Sequence, residues 1–172
     1  MAKSDSFFIR AKVNGGAGSF AQTTIDLGAY VDALGKSVLR IHNVAWSVYD
    51  LAGGPGAGDF NLAANASCYN GWQLTTQSQT AAVSVTDKSL ISSGRFAITN
   101  DSSTANRFSF ISDAADVSPQ MFTNGYLIAT ENIFFGAETN ASSPDLTYEI
   151  MLECTVETMS QNAAMALALS QQ

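Results

Sequence analysis

The stretch Leu146-Thr147-Tyr148-Glu149-Ile150-Met151-Leu152-Glu153-Cys154-Thr155-Val156-Glu157 alternates apolar and polar side chains with hardly a break. A period of two places Leu146, Tyr148, Ile150, Leu152, Cys154 and Val156 on one face, and Thr147, Glu149, Glu153, Thr155 and Glu157 on the other. Coiled into a helix, these apolar groups would scatter around the axis. As a strand they form one stripe that packs on a core while the opposite face meets water or a partner.

Comparable runs recur at 7–13, 20–27, 38–49, 67–74, 81–85, 95–99, 107–111 and 126–135, so that about nine strands are expected. Between them lie Asn14-Gly15-Gly16-Ala17-Gly18, the glycine-rich 53–59 stretch, Asn100-Asp101-Ser102-Ser103 and Asn140-Ala141-Ser142-Ser143-Pro144. These residue types accept turn geometry. Many short strands joined in this way predict an all-β protein, a single antiparallel β-sandwich of jelly-roll-like type. Two segments depart from the pattern. Residues 28–35 have Tyr30, Val31 and Leu34 spaced for a helical turn across an open end. Residues 160–172 open on the capping residue Ser160 and continue in Ala, Met and Leu, which predicts a short C-terminal helix. The chain of 172 residues therefore reads as a sandwich domain over 1–159 with a helical extension over 160–172.

Charge narrows the function. The chain has 8 basic and 15 acidic side chains, 23 in all, where about 43 would be usual for this length. A surface so poor in charge is expected to be covered by neighbours in the working state. Residues 87–172 hold ten of the acidic groups and only three of the basic ones. Without a basic footprint to replace phosphate counterions, no direct nucleic-acid binding is expected. The start, Met1-Ala2-Lys3-Ser4-Asp5-Ser6, lacks the apolar run of a signal peptide, and no segment reaches the roughly 20 apolar residues of a transmembrane helix. A chain made in the cytoplasm is expected. Cys68 and Cys154 both fall in strand runs and are read as reduced, buried thiols.

Chemistry is sparse. His42 is the only histidine, so any acyl-transfer mechanism would have to run through it, yet no nucleophile motif accompanies it. Alternation would put it beside Val44, Trp46 and Val48, with Arg40 as its polar neighbour. One histidine and two distant cysteines make a poor zinc set. Asp101, Asp113, Asp116 and Asp145 could join carbonyls around calcium, but no Asp-x-Asp-x-Asn-Gly pattern occurs, and no cofactor is expected. Glu149, Glu153 and Glu157 stand about 13 Å apart from one to the next along a strand, too far for a pair of glycosidase carboxylates. The Gly35-Lys36-Ser37 triplet lacks the first glycine of a phosphate loop, since Tyr30 stands there. Trp46, Trp72, Tyr69 and Tyr126 are expected in the core rather than on a sugar-stacking platform.

Strand runs from Phe7 to Val156, glycine loops, low charge, the strandless C-terminal extension and no catalytic set together resemble the single jelly-roll capsid proteins of icosahedral viruses. The resemblance implies a non-enzymatic protein that assembles into a virion shell from copies of itself, alone or beside a second capsid protein, with contact to an internal membrane as a further implication. Many such proteins carry a basic N-terminal arm, whereas residues 1–12 here hold only Lys3, Arg10 and Lys12. Subunit contacts are expected at the C-terminal helix, through Ala163, Met165, Leu167 and Leu169, and at neutral loops. A carbohydrate-binding or adhesive sandwich is the second reading and would need an exposed aromatic stripe. An enzyme with an unrecognised site is the third.

Overall fold

The computed structural model describes residues 4–16, 18–32, 36–55 and 60–171. Among these residues nine strands are formed: β1 (Phe7–Gly16), β2 (Phe20–Asp26), β3 (Ser37–Asp50), β4 (Ala66–Thr75), β5 (Leu90–Asn100), β6 (Phe110–Val117), β7 (Tyr126–Ile128), β8 (Asn132–Thr139) and β9 (Leu146–Thr158). A 3-10 turn at Pro119–Met121 precedes β7, and one helix, α1 (Gln161–Ser170), follows β9. The strands form two antiparallel sheets, ordered β1-β9-β3-β7 and β2-β8-β4-β5-β6.

With β6 set aside, an early strand always meets a late one: β1 pairs with β9, β2 with β8, β3 with β7 and β4 with β5. This is one long antiparallel ribbon wrapped over itself, the jelly roll. It places β9 in the middle of the four-stranded sheet. Leu152, for example, is held between Ile9 of β1 and Val44 of β3. Its alternation is realised as the sequence predicts: Leu146, Tyr148, Ile150, Leu152 and Cys154 are buried, and Val156 packs against the same core.

Facing side chains of the two sheets interlock. Trp72 of β4 lies 5.5 Å from Trp46 of β3 and 6.3 Å from Phe135 of β8, measured between ring centroids. Its indole occupies the space above Gly94, its partner on β5, where an added Cβ would come within 2.7 Å of Trp72 Cε2. The large aromatic and the missing side chain are thus one packing unit. Gly125, at φ +62°, lets the turn before β7 lie directly on the Ile41 carbonyl, a space and a backbone conformation that only glycine allows.

Three expectations are corrected. Residues 81–85 form no strand. They cross the outer face of the five-stranded sheet as an irregular strap, because side chains satisfy their backbone: Gln73 accepts from Val83 N (2.8 Å) and donates to Ala81 O (3.2 Å), and Glu138 accepts from Ala82 N (3.0 Å). The 126–135 run is two strands in different sheets, since the jelly roll changes layers at Ala129-Thr130-Glu131. His42 does not share a face with Val44 and Trp46. It is the extra residue of a β-bulge between Ile41 and Asn43, which shifts the alternation by one and leaves Ile41 and Val44 both buried. In the 28–35 segment, Tyr30 N and Val31 N donate to Leu27 O in a turn, while 33–35 lie outside the described residues.

The fifth strand overhangs. A five-stranded sheet faces a four-stranded one, so β6 lacks a complete cover, and Phe110 and Ile111 are 57% and 50% exposed. Its free edge has two devices that discourage further pairing: a bulge opposite Ser93 and Gly94, and Asp113, which shares the inward face with its cross-strand partner Phe96.

Candidate assembly surfaces

The reactive groups are built into structure. Arg40 of β3 makes a two-pronged ion pair with Glu157 of β9, Nε to Oε1 at 2.6 Å and Nη2 to Oε2 at 2.8 Å, and also donates to Asn124 O. The pair is largely buried, and the bond to Glu157 raises the Arg40 pKa above its ordinary value. The pair ties the sheet centre to the turn before β7. Arg40→Met is expected to lower stability by about 2 to 3 kcal/mol, because the largely buried Glu157 carboxylate would lose its two-pronged guanidinium contact. A denaturant midpoint unchanged in Arg40→Met would show that the pair is only incidental. His42 Nε2 lies 2.9 Å from Thr155 Oγ1, which places the imidazole on the outer face next to this pair.

Cys68 and Cys154 are both free and buried. Cys68 Sγ accepts from Asn70 Nδ2 (2.7 Å) and donates to Ser143 Oγ (3.0 Å). Burial raises its pKa and pushes the Cys154 thiol up to about 12. Since the thiolate is the nucleophile, both thiols should be alkylated at pH 8 at least about a hundredfold more slowly in the native protein than in urea. Equal rates, followed by mass spectrometry, would place them at the surface instead. Among the described residues, no three His, Cys, Asp or Glu side chains gather as a metal site would need.

The C-terminal helix is docked on its own domain. Ser160 caps it by accepting from Ala163 N (3.4 Å), and Ala164 and Ala168 are buried against Val38 and Ala129, with Leu127, Met159 and Leu167 packed around them. Gln171 then locks the end. Its amide accepts from Ala129 N (3.0 Å) and donates to Leu127 O (2.6 Å), while its main-chain carbonyl accepts from Thr76 Oγ1 (2.7 Å), the residue that follows β4 of the other sheet. One buried glutamine therefore bridges both layers at the open end of the sandwich. Gln120, which is exposed, clamps a single residue of β3, accepting from Val44 N and donating to Val44 O, both at 3.1 Å.

The four helix residues expected at subunit contacts therefore divide. Leu167 and Ala163 are half-buried, Leu167 against the domain itself. Met165 and Leu169, one turn apart, stand 42% and 69% exposed and form the outward stripe. Further apolar groups emerge on other sides: Phe8 (51%) and Met151 (38%) on the outer face of the four-stranded sheet, Met121 and Phe122 (56% each) beside the 3-10 turn, and Phe110 with Ile111 on β6. Sequence reading missed the glutamine clamps, because a neutral amide in a loop carries no pattern. It also missed the exposed Phe8, Met121 and Phe122, which no alternation singles out.

No family model and no curated protein matches the chain. Among solved structures it is similar to a chain of Desmodium yellow mottle tymovirus, with 11% identity, 90% of this chain and 87% of that chain covered, and a TM-score of 0.33. It is similar also to a chain of turnip yellow mosaic virus, with 8% identity, 90% of this chain and 95% of that chain covered, and a TM-score of 0.34. A likeness this distant does not reach function, which rests below on the chain's own surfaces.

Proposed function

We propose that the chain is a structural subunit, not an enzyme, which packs with copies of itself into a closed shell, as the coat protein of a virion. The observation that carries the reading is the distribution of exposed apolar groups. Phe8 and Met151, Met121 and Phe122, Phe110 and Ile111, and Met165 and Leu169 occupy four different parts of a sandwich that holds only 23 charged side chains. A monomeric binding module would concentrate such groups in one patch, whereas a lattice subunit is touched on several sides at once. A standard interface buries roughly 1,600 Å² in total, and repetition around each subunit lets individually weak contacts hold by avidity. Light scattering and negative-stain electron microscopy of the purified chain are expected to show particles far larger than 18.1 kDa. A monomer that remains so at high concentration would sink self-assembly, and particles that form only after a second coat protein is added would establish the mixed shell.

A further inference from the structure

We infer that the outer face of the five-stranded sheet holds a binding site for a neutral sugar, in a groove floored by Gly71. This goes beyond the assembly reading and does not rest on it. The groove, open to solvent along its length, offers about 530 Å³ between the 81–85 strap and the β5–β6 side of the sheet, within the range of small-ligand sites. Its centre is set by register. Gly71 of β4 is flanked by Glu138 of β8 on one side and Arg95 of β5 on the other, and residues paired across strands share a face. The row therefore reads carboxylate, gap, guanidinium, about 10 Å from end to end.

The gap is not required by the fold. Gly71 has no positive φ, and a Cβ added there would meet nothing closer than Gly94 O at 3.6 Å. A side chain would fit the backbone and would fill the groove, so what the glycine provides is open floor. Tyr69, expected in the core from the sequence, instead lies two residues back on the same outward face and is 62% exposed, with buried Cys68 and Asn70 on either side. A phenol ring standing free beside an empty floor offers a flat apolar wall for the C–H face of a pyranose. The polar rim matches its hydroxyls. Glu138 and Arg95 are planar groups that can each bridge neighbouring hydroxyls. Glu138 is held by Ala82 N (3.0 Å on Oε2), and Arg95 by Asp116 (3.0 Å, Nε to Oδ2). Two carboxylates against one guanidinium leave the rim negative, which favours a neutral sugar over an acidic one.

The test is saturation-transfer NMR on the full chain with the methyl glycosides of glucose, galactose, mannose and N-acetylglucosamine, and with sialyllactose as the acidic probe. At least one neutral glycoside is expected to receive transfer. Its affinity should fall tenfold or more in Tyr69→Ala and in Gly71→Val and remain unchanged in Phe8→Ala on the opposite sheet, with circular dichroism confirming that all three variants fold. The inference is overturned by transfer to none of the neutral glycosides, by undiminished binding in Gly71→Val, or by a preference for sialyllactose.

Discussion

Leu152→Ala is expected to cost roughly 2 to 5 kcal/mol, the range for removing a buried leucine side chain where the surroundings cannot collapse. Leu152 is fully buried and lies in the central strand of the four-stranded sheet, held by Ile9 on one side and Val44 on the other. Both neighbouring strands would have to move inward together to fill the void, and their own pairing resists that. Urea unfolding measures the effect. A loss below about 1 kcal/mol would mean that this face of β9 is not core.

The second large effect concerns assembly rather than folding. Met165→Lys combined with Leu169→Lys should abolish particles while leaving the unfolding midpoint nearly unchanged. Both side chains project outward from α1, while Ala164 and Ala168 hold the helix to the domain. Ammonium groups at both positions would have to be buried without a partner in every copy of the contact, which costs several kcal/mol. Sedimentation velocity and thermal unfolding of the same sample separate the outcomes. Particles of unchanged size would remove the helix from the contact surface, and a large drop in the midpoint would show that the two side chains support the domain itself. Removal of residues 163–172, by contrast, is expected to destabilise the subunit, since Gln171 would leave Ala129 N, Leu127 O and Thr76 Oγ1 without their partner.

The strands were legible in the sequence where one face is buried and the other wet. β9 and β1 alternate because the outer face of their sheet is open through its middle, at Arg10, Lys12 and Met151, although Thr147, Thr155 and Glu157 nearer its ends are buried. The 126–135 run misled because its two halves are both rich in apolar residues, and only the layer change at Ala129-Thr130-Glu131 separates them. Ala81–Val85 alternates without being a strand, since its backbone hydrogen-bonds to the side chains of Gln73 and Glu138 in place of a neighbouring strand. A bulge such as that at His42 has no sequence mark at all. Of the contact surface, the helix could be placed but not its rotation. Composition suggests a docked helix, whereas the choice of Ala164 and Ala168 as the inward pair depends on the small space beside Val38 and Ala129. The low charge itself has a second source, because neutral amides at Gln73, Gln120 and Gln171 close loops and strand edges that other proteins protect with lysine.

The position of β9 has a consequence for the time course of folding. The four-stranded sheet is organised around a strand that follows β1 by more than a hundred residues, with Phe7 pairing Cys154 and Ile9 pairing Leu152. Closing so long a loop comes before any of its contacts are gained, so the chain belongs among the slow, high-contact-order folders of the millisecond-to-second class. On the ribosome, β1 and β3 emerge without the strand that will separate them and must wait with their apolar faces uncovered. Under the proposed assembly, a contact through the four-stranded sheet therefore has to wait until β9 has been made and has paired with both neighbours.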